Sequence, residues 1–164
     1  MVENNLTRAL IAKIEAALEG TTLPTMKGEY RKPTVINAFL SPERKDNESR
    51  PFVIVRPESG SIAMDETTTV VSIIIAGYAQ DMDGYEDCLS VFARIRNSLT
   101  TMPSQTLDKR FILDFPITWN MDEKQPWPQW QVDMTTKWRT LTPEIRPERK
   151  EETYGYFRKE GKKD

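Results

Sequence analysis

Histidine is absent from this chain of 164 residues. Its absence removes the commonest general base, the usual metal-binding imidazole and most nucleophilic triads. Cysteine occurs once, as Cys88, so no internal disulfide can form. With no histidine to activate it, the thiol reads as a small, inert core residue. One unpaired thiol fits a reducing, intracellular place of assembly. The seven glycines are scattered and build no phosphate-cradling loop. No apolar run approaches the roughly 18 residues of a membrane-spanning helix. The chain does not open with a basic start and an apolar core, so no secretory signal is expected. The formal net charge of −2 lacks the basic excess of a general nucleic-acid binder. These absences point away from an enzyme and away from any cofactor.

Hydrophobic residues make up 38% of the chain and charged residues 29%. The polar excess is concentrated in residues 41–50 and beyond Pro143, so the middle is ordinary globular sequence. The length suits one domain with a proper core. Within it, residues 67–79 read as a long strand dense in β-branched residues. Val71, Ile73 and Ile75 fall on one face; Val70, Ser72, Ile74 and Tyr78 fall on the other. A strand apolar on both faces is usually covered on both. One following helix covers one face, so the other calls for a second layer, a curled sheet or another copy of the chain.

That helix is expected over residues 84–99. Tyr85, Cys88, Leu89, Phe92, Ile95 and Leu99 form one apolar stripe. Asp83 is the expected N-cap, and Glu86 stands at the capping-box spacing. Pro103 follows the helix end, where it cannot disturb the ladder. Upstream, Leu6, Leu10, Ile14 and Leu18 predict a helix over residues 6–18, with Asn5 as cap and Gly20 as stop. Residues 21–32 read as a polar connection and 34–39 as a short strand. Residues 41–50 read as a solvated loop, 51–56 as a strand closed by Pro57, and 58–66 as a turn-rich link. Downstream, residues 110–118 alternate as a strand and 119–128 form a Trp- and Pro-containing loop. Residues 130–141 form a strand with a buried face of Trp130, Val132, Met134, Thr136 and Trp138.

The sum is an α+β fold, a mostly antiparallel sheet of four to five strands with two helices packed on one face. Residues 1–142 form the domain. Residues 143–164 form a charged tail with too little apolar surface to fold alone, ordering on a partner if at all.

Two motifs need weighing. The run Asp81-Met-Asp-Gly-Tyr-Glu-Asp87 has the look of a calcium loop, but Gly84 falls fourth rather than sixth and Phe92 occupies the twelfth, glutamate position. Helix capping explains the same residues without metal. A small divalent-metal enzyme using Asp81, Asp83 and Asp87 is the remaining catalytic alternative. The four tryptophans all lie within twenty residues. Trp130 and Trp138 belong to the core face of the last strand. Trp119 and Trp127 fall in a loop, where large amphipathic rings mark contact surfaces as well as cores.

Taken in order, several of these stretches resemble the phage tail terminators, also called tail-completion or minor tail proteins. They are the opening amphipathic helix, Pro-Phe-Val-Ile-Val at 51–55, and the long strand running into Gly77-Tyr78-Ala79-Gln-Asp. The helix from Gly84-Tyr85-Glu-Asp to Ile95-Arg-Asn-Ser-Leu99 and the closing Pro128-x-Trp130 strand complete the pattern. The resemblance implies a structural virion subunit without cofactor or metal, usually a hexameric ring on the finished tail tube at its head-proximal end. It implies contact with itself, the major tail tube protein and the head connector or stopper, with DNA only as passing cargo and no membrane. Assembly would take place in the bacterial host cytoplasm. A head-closure or neck adaptor protein of the same virion is the alternative. The expected interface residues are Trp119, Trp127, Val71, Ile73, Ile75, Arg94, Tyr154, Tyr156 and Phe157. Subunits joined head to tail by a closing rotation produce such rings.

Overall fold

The computed structural model describes residues 2–43 and 46–141. In chain order the elements are α1 (Val2–Ala17), β1 (Leu23–Pro24), β2 (Tyr30–Arg31), β3 (Thr34–Asn37), α2 (Asp46–Ser49), β4 (Phe52–Ile62) and β5 (Glu66–Tyr78). There follow α3 (Gly84–Thr100), a short 3-10 turn at Pro103–Gln105, β6 (Thr106–Leu107), β7 (Phe111–Asn120) and β8 (Gln129–Leu141). Six strands form one sheet in the order β3-β4-β5-β8-β7-β6, and β1 pairs with β2 as a separate ribbon. Every contact in the large sheet is antiparallel except β3–β4, which is parallel. The fold is therefore α+β with a mixed six-stranded sheet, where four or five mostly antiparallel strands were expected.

β5 and β8 are the spine. They pair without a break from Glu66↔Leu141 to Tyr78↔Gln129. Their β-branched and aromatic residues fit a pleated surface, and the alternation fixes which face is buried. The inner face carries Val71, Ile73, Ile75, Val132, Met134 and Trp138. Leu6, Leu10 and Ile14 of α1 and Cys88, Val91, Ile95 and Leu99 of α3 close over it. Gly77 lets α3 approach β5, since a Cβ there would lie 2.9 Å from Cys88 Sγ. Gly84 sits so close under the Trp130 indole that a Cβ would overlap it, at 2.2 Å from Nε1.

Several expected boundaries move. α1 begins at Val2, so Asn5 lies inside the helix and caps nothing. Gly20 does end the turn, with a left-handed φ of 77°. Residues 21–32 hold the β1–β2 ribbon, which places Leu23 in the core. Pro57 does not close β4. The strand shifts register between Pro57 and Ser59 and continues to Ile62, because β3 ends opposite Val55 and Pro57 needs no donor on that side. The turn-rich link is thus the distal half of a β4–β5 hairpin. β7 likewise runs on through Trp119 to Asn120, so Trp119 is a strand residue.

The expected solvated loop at 41–50 is tied down at its end. A parallel β3–β4 pair requires the chain to return to the start of β4 after β3. Arg50 closes that return, 3% exposed. Its guanidinium donates to Gly77 O at 3.1 Å and Trp130 O at 2.9 Å, and its Nε bonds Asp46 Oδ1 at 2.7 Å. Arg56 holds the start of the return by donating to Ala38 O at 2.8 Å, with Phe39 against its guanidinium.

Candidate assembly surface

The second face of β5 is covered in part. Phe52, Ile54 and Ala76 form a small outer cluster with Ile36, Ile74 and, from the β3–β4 return, Leu40. Farther along, Val70 and Ser72 are half-buried, beside exposed Thr135 and Lys137 of β8. The outer face of the strand is therefore only half-buried within its own chain, apart from Ala76. Val71, Ile73 and Ile75 are 0–1% exposed beneath the helices. They are core residues that no neighbour can touch, which corrects their place among the expected interface residues. The period-2 pattern separates the two faces but does not say which one the helices take.

The remaining exposed large apolar residues fall in several places, among them Met26 and Tyr30 in the β1–β2 ribbon, Phe39 after β3 and Phe115 on β7. At the β4–β5 hairpin end stand Ile62, Met64 and Leu141. At the other end, where α3 begins, stand Met82, Tyr85 and Trp127, and Trp119 lies farther in, opposite Met134 of β8 and against Phe92 in the middle of α3. Trp119 and Trp127 are 53% and 57% exposed. Trp119 leans on Phe92 with ring centroids 5.2 Å apart, and Arg96 lies 5.6 Å from the same Phe92 ring. Trp127 is pinned by its indole N–H, which donates to Gln80 O at 3.0 Å. Each ring is therefore held in place and open on one side, the arrangement in which an aromatic side chain anchors a partner at low entropic cost. Trp130 and Trp138 are buried, and their N–H groups find Ala79 O and Thr136 Oγ1.

The acidic turn at 81–87 frames this end. Asp83 stands at the N-cap position but makes no side-chain capping bond; instead its own N–H donates to Asp81 Oδ1 at 3.1 Å. Burial holds the Asp87 carboxyl above the usual carboxylate range, helped by the negative charge of Asp81, Glu86 and Asp83. Among the described residues, no three carboxylate or thiol side chains converge as a metal ion would require. Asp81, Asp83 and Asp87 therefore make no cation cage. Burial pushes the Cys88 thiol up to about 12, so it stays protonated and unreactive.

Arg94 is exposed on α3. Tyr154, Tyr156 and Phe157, with the rest of the tail, lie outside the described residues. Arg50 was missed because a charged, Pro-containing stretch reads as solvated, and only the β3–β4 crossover brings it against two carbonyls.

No protein-family model matches the chain, and no curated protein matches it either. Its fold is similar to that of a solved chain from the "Virion of native gene transfer agent (GTA) particle", with a TM-score of 0.52 at 15% identity. The match spans 84% of this chain and 95% of that one. At that identity the likeness is one of fold.

Proposed function

We propose that this chain is a structural subunit of a phage-type virion, a tail terminator. Copies of it form a ring at the head-proximal end of the tail tube, stop the tube's polymerisation and offer the head connector a surface to join. The observation that carries this reading is the fold shared with a virion chain over nearly the whole length of both. Three features support it. The chain has no histidine and one sealed thiol, which leaves little catalytic equipment. Its exposed large apolar residues, among them Ile62, Met64, Met82, Trp119 and Trp127, offer surfaces that neighbours in a ring would cover. Its net charge is near zero, which suits a ring that passes DNA without gripping phosphates. The partners are other copies of the chain, the tail tube protein and the connector; no cofactor takes part.

Electron microscopy of particles lacking the protein tests the position. Overlong or headless tails are expected. Filled heads that leak DNA would move the same subunit to a head-closure role. Sedimentation with isolated tail tubes tests the ring, and a chain that stays monomeric and unbound overturns it. A stable contact between copies should bury about 1,200–2,000 Å² in total.

A further inference from the structure

Among the described residues two sets of like charges stand out, of opposite sign, in which only Arg110 has an ion-pair partner. The first lines a groove of about 500 Å³ between α1 and the turn leading into β7. Arg8 and Lys13 of α1 and Arg110 before β7 line this shallow groove, together with the apolar Ala9, Ala12 and Leu107. The groove's one carboxylate, Asp108, is held by Arg110 at 2.8 Å. Among the described residues Arg8 and Lys13 make no ion pair. The second set is the 81–87 turn, whose Asp81, Asp83, Glu86 and Asp87 also make no ion pair among the described residues. Burial raises Asp87, and the like charge of Asp81, Glu86 and Asp83 adds a repulsion that an arriving cation would relieve.

The two sets cannot meet within one chain. The turn opens α3, and the groove segment at 107–110 follows the far end of that helix. A helix of 17 residues separates them, about 25 Å of rise. We propose that the groove on α1 receives the 81–87 turn of a second copy of this chain. Met82, 71% exposed between two aspartates, packs against Ala9, Ala12 and Leu107, where a flexible thioether adapts to an irregular surface. The flanking carboxylates meet Arg8, Lys13 and Arg110. Groove and turn are different surfaces, so each copy donates one and offers the other. Such a heterologous contact repeats until it closes into a ring or runs on as a filament. The inference rests on the ring reading above and names the contact that would build the ring.

Sedimentation velocity on the full chain, alone and with tail tubes, tests the contact through charge exchange. A reversed-turn variant carries Asp81→Lys, Asp83→Lys and Glu86→Lys. A reversed-groove variant carries Arg8→Glu, Lys13→Glu and Arg110→Glu. Each alone should self-associate roughly 100-fold more weakly. An equimolar mixture should regain assembly, because each variant then meets its complement on both surfaces. Wild-type assembly should also weaken as salt rises from about 0.05 to 0.5 M. Circular dichroism confirms that each variant is folded, and Arg8→Ala with Lys13→Ala replaces the reversed groove if that one is not. Variants that assemble as wild type, or a mixture that stays apart, overturn the contact and leave the ring standing. A wild-type chain that stays monomeric with and without tubes overturns both.

Discussion

The two faces of β5 carry similar residues and meet different fates. Ile73 points into the helix layer and is fully buried; Ile74, its neighbour, sits on the outer face and is half-buried. The inner face is sealed by two long helices whose apolar stripes match it. The outer face has only a small cluster, with Leu40 of the return segment against it, and it opens toward polar residues of β8. Apolar content alone therefore does not measure how a strand is covered. What matters is whether an element with a complementary stripe, or merely a length of chain, crosses it.

The comparison breaks most sharply at Ile73. Ile73→Ala should cost about 3–5 kcal/mol, since it empties a packed site that α1 and α3 cannot collapse into. Ile74→Ala should cost about 1 kcal/mol, because solvent and loop can adjust there. Urea titrations of the two variants measure the gap, and equal midpoints would mean that the outer face is as tightly sealed as the inner. Arg50→Met comes next, at about 2–4 kcal/mol, because two buried carbonyls lose their donor. Hydrogen exchange should then quicken in 38–50 and around Phe52 while α1 and α3 stay protected. A uniform loss of protection would show that the return segment is part of the main core.

Asp87→Asn has the smallest expected effect. A carboxyl whose folded pKa is raised binds its proton more tightly in the folded state than in the unfolded one. Stability therefore falls as pH rises through the interval between the unfolded and folded values. Asp87→Asn should raise the Tm slightly at neutral pH, and the difference should vanish in acid, below the unfolded value. Melting curves across the acid range check this, and a variant less stable at neutral pH would mean that helix-dipole attraction outweighs the repulsion.

Much of the fold was legible because its signals are local. The four-residue steps from Leu6 to Leu18 and the stripe from Cys88 to Leu99 place both long helices. The alternation from Trp130 to Trp138 places β8 with its buried face correctly turned. The surroundings of the expected interface residues were legible only in part. Trp119, expected in a loop, lies on β7, and both it and Trp127 are exposed. Val71, Ile73 and Ile75 are not available, since one face of a strand and its mirror look alike until a helix docks. The extension of β4 past Pro57 was hidden because proline breaks a strand only where a neighbour needs its donor.

Periodicity and composition by themselves determined the two helices, the long paired strands and the scarcity of catalytic groups, because each depends on residue type and short-range spacing. Tertiary structure alone decided which face of β5 is core, that β3 runs parallel to β4, that Arg50 is buried, and that the acidic turn and the basic groove lie at a helix's length from each other. Those outcomes follow from contacts between residues far apart in the chain, where register and crossover geometry, and no local preference, set the energy.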